Sequence, residues 1–433
     1  MLCCLVASGL AGDSWHGTYA ISNYEYGTAV AIAPDGDIIL GIESGHDYDV
    51  ERSTVLLKID PAGTIVWQRQ WGIWGTIGLA VGSDGAIWVA QGVEGTRDIY
   101  LLHLDGNGDL LGSRRIRLHS AEELGSIVRL KAVQDELLLL GYEYSWPEGP
   151  YFAIRLNAGG WPVWDREFEP FIRLSDVDVG LEGAYWLSGA EGRLDAILLK
   201  LSAGDGSIQA AFRYPRSSDY WSNLESIFLS VRQMSDGTLM GVARSDVGHH
   251  LSDSWVVRLD GDASVLSYKV TGYSATAAAI HADGYALIGY SPPYFSSSRQ
   301  AIVAISPESG ALWSAEYVHD WEYSYFSELG VDPLGRVAFA GSGSLPWEPG
   351  QDMPVVVATA GMLEPDGTVP GCGFVRARAW DSDELSLVRE PLEVGSYELP
   401  IDMRIVDINV VHAHGFADIC HATGNHRRPT GMP

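Results

Sequence analysis

Cysteine is scarce in this chain: four residues in 433, at Cys3, Cys4, Cys372 and Cys420. A disulfide-built scaffold needs far denser cysteine and is excluded. Cys372 and Cys420 share the C-terminal part and can bridge it if the protein is exported, although two unpaired core thiols fit the same letters. Lysine is scarce as well, four of 28 basic residues, set against 56 acidic ones. The formal charge of −28 and a pI near 4.6 repel phosphate backbones and anionic lipid, so nucleic acid is not expected as a partner. Such a surface attracts cations or basic proteins, and equally serves solubility. No apolar run reaches the ~18 residues of a membrane span. The phosphate-loop, zinc-protease and nucleophile-elbow signatures are missing, as is a complete calcium loop. The opening MLCCLVASGLAG is apolar and ends in small residues like the back half of a secretory signal, without the basic start. Residues 1–13 read as a leader or signal remnant, and a secreted or cell-surface location is expected.

What is abundant is glycine, 50 residues without a three-residue period, together with 15 Trp and 20 Tyr. These favour strands, tight turns and aromatic packing. The segments VAIAPDGDIILGIES, LAVGSDGAIWVAQG, LKAVQDELLLLGYE, VDVGLEGAYWLSGA, VRQMSDGTLMGVAR, AAIHADGYALIGYS and LGVDPLGRVAFAGS share one pattern. Each is an apolar run, a turn centred on Asp-Gly or a substitute, and a second apolar run, which is a hairpin signature. Their anchors, Asp35, Asp84, Asp135, Glu182, Asp236, Asp283 and Leu334, recur at steps between 47 and 54 residues. A second strand pair follows each of the first six, most clearly in TVLLKIDPAGTIVWQRQW. Seven units of four antiparallel strands predict an all-β, seven-bladed β-propeller, because a lone four-stranded sheet cannot hide both faces.

The chain enters this beat out of phase. WHGTY at Trp15 aligns with the fourth-strand segments WQRQW at Trp67, WDREF at Trp164 and WSAEY at Trp313. The seventh unit lacks such a strand after MPVVVATAGML. Ring closure follows: the strand at Trp15 completes the last blade by pairing with Pro354 to Ala360, which removes an exposed edge. The propeller is therefore expected over residues 14–362.

The repeats resemble those of the quinoprotein-like and bacterial SBBP-type β-propeller superfamily. The pattern Lys-x-Asp-x-x-Gly-x-x-x-Trp stands here as Lys58, Asp60, Gly63 and Trp67, and Gly310 and Trp313 persist in the sixth copy. The resemblance covers roughly residues 15 to 362 and implies architecture. A quinone-dependent activity is not implied, since the Gly-Lys-Glu part of the tryptophan-docking motif is absent from every copy and Cys3-Cys4 lies outside the repeats.

Candidate sites are scattered. DGNGD at Asp105 to Asp109 can hold a hard cation or simply form a hairpin turn, and the turn is favoured. His46, Asp47 and Asp49 fall in one interstrand loop, and His249, His250 and Asp253 in the equivalent loop of the fifth unit. Residues 363–433 break the beat and read as a small C-terminal β extension with a flexible end, able to pair with a neighbouring molecule. His412 and His414 would share one face of a strand there, with His421 nearby, a set that can chelate a divalent metal such as Cu or Zn; Ca suits the carboxylate turns. The expected function is a non-enzymatic binding or assembly protein, with protein, itself in a homo-oligomer or filament, or carbohydrate as partner. The competing expectations are a hydrolase or lyase acting on carbohydrate or peptide in the central channel, and a metal-associated secreted protein.

Overall fold

The computed structural model describes residues 15–20, 25–45, 53–73, 75–93, 95–118, 123–133, 136–144, 149–192, 195–214, 224–247, 252–271, 275–290, 299–318, 323–344 and 356–368. In the tail it describes 375–377, 382–383, 390–391, 396–397, 401–405 and 416–421. All regular elements among them are strands. The first is β1 (Trp15–Ala20). Blade 1 comprises β2 (Glu25–Ile32), β3 (Ile38–Ser44), β4 (Ser53–Ile59) and β5 (Ile65–Trp71). Blade 2 comprises β6 (Ile77–Val81), β7 (Ile87–Gly92), β8 (Asp98–Leu104) and β9 (Leu110–Leu118). Blade 3 runs through β10 (Glu123–Val133), β11 (Glu136–Tyr144), β12 (Tyr151–Leu156) and β13 (Pro162–Phe168). Blade 4 holds β14 (Ile172–Val179), β15 (Tyr185–Glu191), β16 (Asp195–Leu201) and β17 (Ile208–Tyr214). In blade 5 stand β18 (Leu224–Gln233), β19 (Leu239–Val247), β20 (Ser252–Leu259) and β21 (Val265–Thr271). Blade 6 follows with β22 (Ala275–Ile280), β23 (Ala286–Tyr290), β24 (Arg299–Ser306) and β25 (Gly310–Val318). Blade 7 has β26 (Tyr323–Val331), β27 (Val337–Ser344) and β28 (Val356–Leu363), and takes β1 as its fourth strand.

The expected seven-bladed propeller is thus present, and so is its closure. Trp15 stands opposite Met362 and Tyr19 opposite Ala358, antiparallel, in the sheet predicted for them. Burial follows each strand's place in its blade. All of β4 is buried, whereas most of β5 is only partly so. A strand packed between two neighbouring blades tolerates apolar side chains on both faces; the outermost strand meets water on one. The hairpin turns work as the Asp-Gly pattern requires. Asp35, Asp84 and Asp236 each accept a hydrogen bond from the amide two residues on, at 3.1, 3.0 and 3.0 Å. Seven apolar clusters lie between adjacent blades, one at each junction of the ring.

The C-terminal extension is a strap. Its strands are β29 (Val375–Ala377), β30 (Ser382–Asp383), β31 (Glu390–Pro391), β32 (Ser396–Tyr397), β33 (Ile401–Ile405) and β34 (Phe416–His421). They pair with the outer strands of blades 6, 5, 4, 3, 2 and 7 in that order, so the tail runs backwards around the rim. The edge pairing expected between molecules is met here within one chain. Each contact gives an outer strand the partner that an exposed edge lacks. At the closure β1 is held on both sides, between β28 and β34.

Candidate functional site

Each blade presents a row of three residues, from its second, third and fourth strands, to the next blade. In blade 1 the row is Ile39, Lys58 and Trp67, paired across β3, β4 and β5. Trp67 lies against Gly108 in the turn of blade 2, and its Nε1 donates to the Gly106 carbonyl at 3.1 Å. Lys58 Nζ reaches the same carbonyl at 3.3 Å and Asp35 and Asp37 at 3.0 Å each. Blade 3 repeats the device with other letters. Arg155 grips Glu136 at 2.7 Å through two nitrogens and donates to the Ala203 carbonyl of blade 4, which also receives Trp164 Nε1 at 3.0 Å. The turn glycine is required at this approach: Gly206 has φ +70, and a Cβ there would stand 2.7 Å from the Trp164 ring. Burial opposes the charged form of Lys58, but its hydrogen bonds to Asp37 and Asp35 outweigh that and hold the ammonium above the ordinary lysine range. For Asp35 burial is likewise outweighed, by the Asp37 amide and Lys58, and the carboxyl falls below its ordinary range. Burial wins for Asp37, which is pushed up.

The central channel is built by the innermost strands. A β-bulge interrupts these strands in six blades, at Thr28, Ser175, Leu229, Thr276 and Ser327, and near Val128, while β6 pairs regularly. These bulged residues help enclose a cavity of about 250 Å³. Arg129 of blade 3 dominates it: Nε lies 3.2 Å from Asp176 Oδ1 of blade 4, and Nη1 pairs with Glu328 of blade 7. Glu328 Oε2 accepts the Val30 amide of blade 1 at 2.8 Å, and Asp176 Oδ2 accepts Ser230 Oγ of blade 5 at 2.7 Å. Nearby, Lys131 Nζ pairs with Asp178 at 3.0 Å, and Asp178 takes the Gln233 amide at 2.9 Å. Five blades are joined through Arg129 and its two carboxylates. Both carboxylates accept donors from the protein itself, so the network acts as a cross-brace. Sequence reading missed Arg129, Asp176 and Glu328; the signal was a charge set inside an apolar inner strand, as in SIVRLKAV, LSDVDV and FSELGV.

Among the described residues, most of the exposed large apolar side chains lie on the turn face of the disc, with Phe171 an exception in the connection between β13 and β14. Val66, Leu111, Val163, Leu266 and Leu312 are all exposed, and each is the second or third residue of its blade's outer strand. Leu181 and Leu334, in the inner hairpin turns of blades 4 and 7, are exposed on the same face.

The expected metal ligands are not brought together by what is described. His412 and His414, with His46, Asp47, Asp49, His249 and His250, lie outside the described residues. His421 ends β34 opposite Trp15, and Asp253 pairs with Ser245 in blade 5. Cys420 stands opposite His16, and Cys372 is outside the described residues. At DGNGD the Asp105 carboxylate accepts the amides of Asn107 and Asp109, both at 2.9 Å, which is the hairpin-turn arrangement. Its carboxyl is held below the ordinary range, chiefly by the Asp109 amide. Among the described residues no group of three His, Cys, Asp or Glu is arranged to hold a metal ion, and no helix is long and apolar enough to cross a membrane.

No protein-family model matches the chain, and no curated protein does. Similar solved structures include the Dos1 propeller, 10% identical with a TM-score of 0.47, covering 79% of this chain and 81% of that one. The WD40 propeller domain of Doa1 is 11% identical with a TM-score of 0.44, covering 77% and 88%. Sqt1 from Chaetomium thermophilum, bound to the N-terminus of ribosomal protein L10, is 10% identical with a TM-score of 0.44, covering 79% and 98%.

Proposed function

We propose that the protein is a non-enzymatic binding and assembly scaffold, exported and acting outside the cell or at its surface, with protein as its partner, a second copy of itself included. The observation that carries this reading is the repeated exposure of Val66, Leu111, Val163, Leu266 and Leu312 on one rim. Single exposed apolar side chains are ordinary on a monomer. Here equivalent places in five blades are both apolar and exposed, which gives the turn face an apolar rim set among acidic groups. The braced channel supports the same reading, because its charged groups already serve the ring. Docking of Trp67 and Trp164 on the turns of the next blade supports kinship with the quinoprotein-like and SBBP-type repeats.

Sedimentation velocity of the full chain across micromolar concentrations tests the self-assembly. Reversible association is expected, and a chain carrying Leu111→Ser, Val163→Ser and Leu266→Ser together is expected to remain monomeric. A wild-type protein that stays monomeric throughout, or a triple variant that associates as before, would count against the rim.

A further inference from the structure

The docking rows compensate for one another around the ring, with one exception. Where the fourth strand supplies Trp67, Trp164, Trp313 or Trp15, the second-strand place holds Ile39, Leu138, Leu287 or Ala338. Where the fourth strand offers only Gly112 or Ala210, the indole moves to the second strand, as Trp88 and Trp186. Trp88 then stacks on His103 at 3.9 Å and covers Gly160 of blade 3, and Trp186 lies 5.5 Å from Lys200 Nζ. Six junctions thus have one indole in the row. In blade 5 the row is Met240, Arg258 and Ser267, and neither end supplies one. Among the described residues, the apolar cluster between blades 5 and 6 is also the only one of the seven without an aromatic member.

The vacancy has a counterpart in shape. A cavity of about 430 Å³ opens at this junction, lined by Met234, Asp236, Arg258, Tyr285, Glu308 and Leu312 among others, within the size range of sites for small ligands. Arg258 crosses it, 2.5 Å from Asp236 and 3.0 Å from Glu308, and Ser267 Oγ reaches Glu308 at 3.4 Å. Asp283 adds a third carboxylate to the lining. One guanidinium therefore faces three exposed acids, and the pocket is negative overall. Tyr285, stacked on the buried His281 at 4.7 Å, supplies a wall for a flat ring.

We propose that the junction of blades 5 and 6 is a binding slot for an aromatic side chain that stands beside a positive charge on a partner polypeptide. The ring occupies the place that an indole fills at the other junctions, and the cation answers Asp236, Asp283 and Glu308. The proposal rests on the protein-binding reading for the ligand's carrier, and on the slot's own geometry for its chemistry.

Tryptamine, tryptophol and indole-3-acetate share an indole and differ in charge, so titrating each into the full chain by calorimetry separates ring from cation. Saturable binding of tryptamine is expected with a dissociation constant of roughly a millimolar, with tryptophol weaker and indole-3-acetate weakest. Ser267→Trp returns the missing indole from within. It is expected to raise the melting midpoint and weaken tryptamine by about tenfold or more. Glu308→Gln with Asp283→Asn is expected to weaken tryptamine and spare tryptophol, and this pair serves if the tryptophan variant does not fold. No saturable binding of tryptamine, equal binding of the anion, or undiminished binding in the variants would overturn the slot. If the slot fails while the rim variant still abolishes self-association, the scaffold reading stands; the reverse outcome removes the rim and keeps the slot.

Discussion

The junction between blades 3 and 4 and the one between blades 5 and 6 occupy the same place in the repeat, yet they are held differently. At the first, a buried indole stands on a glycine turn, and Trp164 and Arg155 converge on one carbonyl. At the second, Arg258 spans two exposed carboxylates beside a cavity. The first kind of contact removes apolar area from water and satisfies its one polar atom. The second rests on charge in reach of solvent, where pairing contributes little. A repeat can thus keep its strand pairing and still change what one junction is for.

The largest test of that contrast is to remove an indole that closes the ring. Trp15 is fully buried; Trp15→Ala is expected to lower stability by about 3–5 kcal/mol, read from denaturant midpoints. A loss below ~1 kcal/mol would mean that docking does not hold the closure. Next comes the glycine beneath a docked ring. Gly206→Ala combines positive φ with a clash on Trp164, whereas Gly237→Ala in blade 5 meets nothing within 4 Å at φ +84. The first is expected to cost about 2 kcal/mol or more, the second about 1. Equal losses would show that backbone strain alone decides. Lys58 gives a pH-resolved version. Its folded pKa is raised, so its contribution is complete below the ordinary lysine range and is lost as pH rises through the folded value. Asp35 is lowered, so its contribution is complete above the ordinary carboxylate range and is lost as pH falls through the folded value. Asp37 is raised and opposes this on the acid side. Lys58→Met should therefore flatten the alkaline flank of a stability profile, and an unchanged flank would contradict the pairing. The smallest effect belongs to Arg258→Gln, expected below ~1 kcal/mol because both its partners are exposed. A loss as large as that of an indole would erase the distinction between the two junctions.

The closure was legible because it is written twice, as an extra Trp strand at the start and a missing one after MPVVVATAGML. The docking pattern was half legible. Lys58, Asp60, Gly63 and Trp67 stand within one repeat, but Trp88 and Trp186 reach the same place from a different strand. Only strand register reveals that equivalence. The channel brace was not legible. Arg129 and Glu328 belong to blades far apart in the chain, and nothing local to either names the other. The tail's strands were recognisable as strands, but not as a strap around the same molecule.

By itself the sequence determined the local and periodic facts: strands from apolar runs, turns from Asp-Gly, seven units from their spacing, and a closed ring from the phase of the first strand. The first three follow from interactions within a hairpin or between successive repeats, where chain neighbours are also neighbours in space; the closure was readable because the start carries a strand that the last unit lacks. Tertiary structure alone decided that Arg129 braces the channel, that the tail girdles the rim, and that one junction lacks its indole. The first two depend on which surfaces meet after the ring has closed, which brings together residues whose separation along the chain carries no record of the contact; the third depends on strand register, which sets second-strand and fourth-strand residues in one row.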